Sequence, residues 1–356
     1  LDRLATLRDD FSLRVVEDCA QAMAALESSP RLSPMSPLEE MVASEWQDLF
    51  APRTSPMRVP PVRLPFDSGK PLPKAAPKVT HYCRGPDDKD ELLADHQQNL
   101  QDDVVERCGA ATFVAPRFVV RPRLQRTRVV HDLRVENGFL KPVFFPTPTF
   151  ADALSRLQGA HVFSKVDLKG AYRQVEVDER DRWLQVYAQD GELWQLKRLS
   201  MGLACSPALF QQVMTRVLRP CLPFVIIYLD DVLIVSENHE EHREHVQRVL
   251  QCLRAHNVRL SQDKCVWGVE EVEFLGRRVS HGRVEHGDDH LGPIFNAPLP
   301  SNLQELRSWL GCINFIASHV VGLAARLHPL FQVVGELGRQ RKKKVVIPWK
   351  IGRAHV

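Results

Sequence analysis

The segment Phe224-Val-Ile-Ile-Tyr-Leu-Asp-Asp-Val-Leu-Ile-Val235 sets two adjacent carboxylates, Asp230 and Asp231, between two apolar runs. Such β-branched runs read as strands. A two-residue turn between them would favour Asn-Gly or Asp-Gly, and neither is present. An ionised carboxylate beside buried strands is costly unless paired or coordinated. A divalent cation is one resolution and a solvated Asp-Asp turn is the other; spacing alone does not separate them. Val162-Phe-Ser-Lys-Val-Asp167 is a second apolar strand ending in a carboxylate. Two such strand ends side by side would bring Asp167 to Asp230 and Asp231, the oxygen-rich set that Mg²⁺ or Mn²⁺ prefers. Two ions about 3.5–4 Å apart can stabilise both the attacking and the leaving oxygen of a phosphoryl transfer. Taken alone, Asp167 reads as a helix N-cap rather than a ligand.

The elements that must position these groups follow from the rest of the chain. Twelve of its 25 prolines fall between Pro30 and Pro86. Upstream, Leu4, Leu7, Phe11, Val15 and Val16 recur at helical spacing, and a short helix carries Met41, Trp46, Leu49 and Phe50. Residues 1–50 therefore read as a helical spacer and 51–80 as a proline-rich linker. Further on, residues 113–120, 128–130, 162–168, 183–187, 193–196, 224–229, 232–235 and 272–275 read as strands. Asp190-Gly191 marks a hairpin. Residues 151–157, 241–256 and most of 303–331 read as helices, and Ser206-Pro207 as an N-cap followed by the first helical residue. Strands and helices interleave, which gives a mixed α/β or α+β core with a helical tail.

The blocks FSKVDLKGAYRQ, LSMGLACSPALFQ, YLDD, LSQDKC and FLG, in this order, resemble the reverse transcriptases of LTR retrotransposons, most closely the Ty3/gypsy type. The resemblance spans about residues 70–349 and implies an α+β right-hand polymerase with an antiparallel palm sheet and a helical N-terminal extension. Residues 81–280 would form fingers and palm, and 281–350 thumb or connection helices. It implies an RNA-directed DNA polymerase of a pol polyprotein that adds dNTPs to a DNA or tRNA primer on an RNA or DNA template, with two Mg²⁺ ions, or Mn²⁺. Asp167, Asp230 and Asp231 match its metal-binding carboxylates, Tyr172 its aromatic gate against a ribose, and Lys264 a lysine that protonates pyrophosphate. Gly202 and Met201 match the nucleotide pocket, Met201 standing where the family has Phe or Gln. Phe274, Leu275 and Gly276 match the primer grip. Residues 128–137 match a fingers motif ending in Asn137. Arg121 and Arg128 are assigned to the incoming triphosphate, because the planar guanidinium binds phosphate bidentately. Arg117, Arg123 and Arg126 are assigned to a solvated basic face touching template backbone. The family's paired lysines and Gly-containing turn are replaced here by Arg121-Pro122-Arg123. The competing reading is a decayed or domesticated remnant that only binds nucleic acid.

Composition sets bounds. The net charge is +3, so a basic surface must come from local clustering. Eight scattered cysteines without a CxxC pair exclude a zinc ribbon and fit a reducing, intracellular compartment; the resemblance implies a cytoplasmic particle or the nucleus. No apolar run is long enough for a membrane helix. Asp67-Ser-Gly69 lies in proline-rich sequence rather than between protease strands, and His239, Glu240 and His242 lack the i, i+4 spacing of a zincin and read as a solvated helix face. The final Ile351–Val356 looks like the in-frame translation of a sequencing adapter and is expected to be a non-native tail, with an RNase H domain following in the natural product. Sequencing the genomic locus is expected to show other codons at that point; finding codons for these six residues there would refute it.

Overall fold

The structure is a computed structural model that describes residues 36–52, 55–73, 82–83, 85–121, 127–146, 157, 159–275, 277–281, 283–286, 300, 302–315, 327–328, 330–332 and 334–335. The chain divides into two compact units, Met35–Glu285 and a second made of Leu1–Pro34 with His286–Val356. In chain order the elements are α1 (Pro37–Glu45), α2 (Pro86–Gln101), β1 (Val105–Arg107), β2 (Arg117–Val120), β3 (Arg128–His131), the single turn α3 (Arg134–Asn137), β4 (Val162–Asp167), β5 (Val186–Gln189), β6 (Glu192–Leu196), α4 (Ser206–Val217), β7 (Val225–Tyr228), β8 (Asp231–Ser236), α5 (His239–Ala255), β9 (Val266–Val269), β10 (Glu271–Phe274), β11 (Arg277–Ser280), β12 (Arg283–His286) and α6 (Leu303–Phe315). Of the second unit, α6 contributes Leu306, Leu310 and Ile313 to a small apolar cluster with Leu327.

The larger unit is α+β. Its centre is a four-stranded sheet of order β7-β8-β4-β9, antiparallel at every pairing. Side chains alternate between its faces. Val166, Val225, Ile227, Val232 and Ile234 enter the main core under α4 and α5. Phe163, Ile226, Leu233 and Val235 enter a second cluster closed by Val272, Phe274 and Val279 of β10 and β11. Both faces being covered explains why β7 and β8 read as unbroken apolar runs. Separate sheets, β1-β6-β5 and the β2-β3 hairpin, stand apart from this centre. Asp190 (φ 53°) and Gly191 (φ 77°) make the expected β5–β6 turn, both in the left-handed region that a type I′ hairpin needs.

The structure departs from the sequence reading at four places. Residues 36–73 are neither spacer nor linker but part of the larger unit. Ser36 caps α1 in a reciprocal box with Glu39. Met41, Val42, Trp46, Leu49, Met57 and Leu64 are all buried in the main core. The prolines deny this stretch a helix, yet its backbone still pairs piecemeal: Met57 N–H donates to Gln174 O (2.8 Å), Val62 N–H to Glu176 O (2.8 Å) and Asp178 N–H to Val62 O (2.9 Å). Residues 1–35 lie outside the described residues.

Arg117 is not on a solvated face. It is fully buried, with Nη2 2.8 Å from Asp95 Oδ2 and its guanidinium over the Tyr187 ring. Arg123 and Arg126 fall outside the described residues. His242 is likewise no part of a solvated face. Its Nε2 lies 2.6 Å from Ser164 Oγ on β4 and its Nδ1 2.8 Å from Ser236 Oγ on β8, tying α5 to both strands. Burial drives its pKa down to about 4. Finally, Ser206 does not cap α4. Cys205 holds the cap position, and the Ser206 hydroxyl donates to the Ser200 carbonyl instead.

Leu49 tests the integration of residues 36–73, because its side chain is fully buried and its carbonyl accepts from Leu260 N–H (2.8 Å). Leu49→Ala is expected to cost about 3 kcal/mol in denaturant unfolding of the whole unit, the range for cavity formation in a core. A cost within the noise would mean that the segment is peripheral.

Candidate active site

The central sheet brings the strand-end carboxylates to one edge. Asp167 of β4 lies directly opposite Asp231 of β8. Asp167 directs both its main-chain groups away from β8: its N–H donates to Cys265 Sγ (3.4 Å) and its carbonyl accepts from Ser261 N–H (2.9 Å). The Asp167–Asp231 pair is therefore the close, non-hydrogen-bonded kind, with Cα atoms about 4.5 Å apart. Both carboxylates project on the face shared with Phe163 and Leu233.

Asp230 sits in the turn between Tyr228 and Asp231, which pair across β7 and β8. That turn is the tight one the sequence did not signal. Leu229 adopts φ 56°, a conformation that costs a non-glycine residue roughly 1–2 kcal/mol. The strain is held by Gln211 on α4, whose side chain is buried: its Oε1 accepts from Leu229 N–H (2.7 Å) and its Nε2 donates to Ile227 O (3.0 Å).

The charges near this edge are arranged in counterpoise. Lys264 Nζ is 3.7 Å from Asp167 Oδ1 and Lys165 Nζ is 3.3 Å from Asp231 Oδ1. Burial pushes the Asp167 carboxyl above its usual range; Asp231 and Asp230 push the same way, while Lys264 and Lys165 oppose it. Among the described residues no three His, Cys, Asp or Glu side chains are drawn together as a finished ligand cluster. The carboxylates share the edge, while Asp167 and Asp231 lean toward their lysines. The donor set fits a hard divalent cation: only oxygens, excess negative charge, and a desolvated member that a cation would relieve.

Other expected residues fall around this edge. Tyr172 is buried, its ring 4.9 Å from Phe210, and burial together with Asp230 raises its phenol pKa. Gly202 is packed so closely that a Cβ there would lie 3.0 Å from His131 O and from Leu133 Cδ1. Asn137 locks this approach: its Nδ2 donates to Gly202 O (2.9 Å) and its Oδ1 accepts from Ala204 N–H (2.8 Å). Met201, beside it, is exposed at 66%. Gly202 also borders an open recess of about 750 Å³ lined by Tyr82, Phe118, Val130, Asp132 and Arg134. Arg128 is exposed on β3, whereas the Arg121 guanidinium is paired with the buried Asp88 of α2. Phe274 is buried in the second cluster, against which Leu275 and Tyr228 also pack, so the β10–β11 hairpin lies on the carboxylate-bearing face. Gly276 lies outside the described residues.

Comparison with known proteins accords with this geometry. The family profile described as reverse transcriptase (RNA-dependent DNA polymerase) matches residues 120–279. Transposon Tf2-3 and Tf2-7 polyproteins of Schizosaccharomyces pombe are each 27% identical over 254 residues, which is 71% of this chain and 19% of each relative. The chain thus spans about a fifth of those relatives. Among solved structures, the foamy viral protease-reverse transcriptase in complex with double-stranded DNA aligns with TM-score 0.76 at 20% identity, covering 88% of this chain and 55% of that one. The same viral protein in complex with an RNA/DNA hybrid aligns with TM-score 0.73 at 19% identity, covering 88% and 42%.

The sequence of residues 120–279 is that of a reverse transcriptase domain.

In this reverse transcriptase domain, the sequence reading passed over Gln211, Gln174 and Cys265. Gln174 is fully buried; its Nε2 donates to Lys169 O and Arg259 O (both 2.9 Å) and its Oε1 accepts from Arg259 N–H (2.8 Å). A signal for Gln211 existed: it is a lone amide on a face otherwise made of Leu209, Phe210, Val213 and Met214. A buried amide there must have polar partners.

The raised pKa of Asp167 makes a testable statement about stability. A carboxyl whose folded-state pKa exceeds its unfolded value destabilises the fold at pH above both. Asp167→Asn is therefore expected to raise the Tm of the reverse transcriptase domain at pH 7, with the gain vanishing in acid, where the carboxyl is protonated in both states. A lower Tm at pH 7 would contradict the desolvation reading.

Proposed function

We propose that this chain is an RNA-directed DNA polymerase that adds deoxynucleotides to a DNA or tRNA primer on an RNA or DNA template. The observation that carries this is the narrow pairing of Asp167 with Asp231 beside Asp230 at the edge of an antiparallel sheet. Asp167, Asp230 and Asp231 would hold two Mg²⁺ ions, which supply positive charge at the primer hydroxyl and at the departing pyrophosphate. The protein's own contribution is positioning and electrostatic preorganisation. The Tyr172 ring closes the floor beside Asp230 and excludes a ribose 2′-hydroxyl. The Gly202 backbone, locked by Asn137, lets nucleotide and template approach closely. The neighbouring recess, with Phe118 and Tyr82 for stacking and Arg134 for phosphate, suits the template strand. Lys264 offers an exposed ammonium next to Asp167 from which a proton can pass to the leaving pyrophosphate. Arg128 faces the incoming triphosphate; Arg121 takes part there only by leaving Asp88. The β10–β11 hairpin holds the primer end. Contacts to nucleic acid are mostly with phosphate, so binding weakens as salt rises.

Primer extension with Mg²⁺ on poly(A) tests the reading. Folded wild-type protein is expected to extend the primer, and Asp230→Asn to reduce extension by at least about a hundredfold while template binding persists. Failure of folded wild-type protein to extend, with binding retained, would identify a nucleic-acid-binding remnant. A second measurement compares dNTP with rNTP incorporation. Tyr172→Ala is expected to raise the relative use of rNTPs by about tenfold or more; unchanged selectivity would remove Tyr172 from the gate.

A further inference from the structure

We propose that Cys265 is a positioning residue whose thiol fixes the main chain of Asp167. The proposal deepens the polymerase reading, on which the importance of Asp167 rests. The argument begins with an interrupted ladder. β9 pairs with β4 at Phe163–Val269 and Lys165–Val266, with an irregularity between these pairs, and the pairing stops short of Asp167. Beyond it, pairing resumes with a different segment: Leu168 bridges Leu260, and Lys169 N–H donates to Arg259 O (3.0 Å). Asp167 therefore sits where one backbone partner ends and another begins, and its N–H would face no ladder carbonyl.

Cys265 fills that gap. Its Sγ accepts from Asp167 N–H at 3.4 Å and lies 3.8 Å from Asp167 O as a donor. A thiol has one weak donor and acceptor capacity, so a single side chain stands in for both groups of a ladder residue. The Sγ is half-buried against the main core, which keeps it in place. Ser261 N–H adds a second bond to the same carbonyl at 2.9 Å, so the loop 261–265 holds Asp167 through both its N–H and its carbonyl. The carboxylate projects from this gripped backbone on the same face as that of Asp231, and a rotation of the main chain would move it relative to its opposite number. Cys265 touches neither substrate nor the carboxylate oxygens; it acts through Asp167.

Two experiments decide the matter. Hydrogen exchange on the wild-type protein reads the contact without any variant or any activity: the Asp167 amide is expected to be protected, and exchange at the unfolded-chain rate would overturn the proposal. Mn²⁺ binding followed by electron paramagnetic resonance then compares Cys265→Ala with Cys265→Ser. The alanine variant is expected to bind Mn²⁺ about tenfold more weakly, as for loss of a group that orients a ligand. The serine variant, which retains a donor and an acceptor, is expected to remain within about twofold of wild type. Alanine within about twofold of wild type, or serine as weak as alanine, would overturn it. Wild-type primer extension run alongside reports on the polymerase reading alone.

Discussion

Two like charges held face to face govern this molecule. Asp167 and Asp231 occupy opposed positions of a narrow antiparallel pair, and Asp230 adds a third carboxylate one residue away. Left to themselves these groups repel, and burial adds to the cost, as the raised Asp167 pKa records. The fold tolerates the arrangement because the neighbouring strand residues are largely apolar and covered by α4 and α5 on one face and by β10 and β11 on the other. Lys165 and Lys264 offset part of the repulsion. A divalent cation placed there would offset more, by the same electrostatics that make the edge costly to assemble.

Rigidity around this edge comes from side chains that bond to backbone. Gln211 holds the left-handed Leu229, Gln174 joins the chain after Asp167 to residue 259, Asn137 holds the loop of Gly202, and Cys265 holds Asp167 itself. Each reaches main-chain atoms where ladder pairing has run out. Strain of the Leu229 kind persists only where its surroundings over-determine it, and a buried amide bonded to Ile227 O and Leu229 N–H as the chain enters the turn supplies that constraint.

The parts of this architecture legible in the sequence were those written in hydrophobic period and in short ordered blocks. The strands bearing Asp167 and Asp231, the Asp190-Gly191 turn and the helix 239–255 all came from pattern. The hairpin at Leu229-Asp230 did not, because its left-handed conformation is enforced by Gln211 from another element rather than by turn residues. Proline density was misleading for residues 56–66, since piecemeal hydrogen bonding to 174, 176 and 178 replaces the regular pairing that proline forbids. Arg117 and His242 were misjudged for a related reason: charge and polarity in a sequence say nothing about partners brought from other elements, here Asp95 of α2 for one and Ser164 of β4 with Ser236 of β8 for the other.

The stretch running from Ser36 through Leu64 packs into the main core under the central sheet before any block of family-like sequence begins. An expression boundary drawn from those blocks alone, near residue 80, would leave sockets where Met41, Trp46, Leu49, Met57 and Leu64 now sit. It would also strip the Arg254 guanidinium of its stacking on Trp46 and its ion pair with Asp48. The smallest piece able to fold as this unit is thus longer at its front than its recognisable motifs, and a cloned fragment should begin upstream of Ser36.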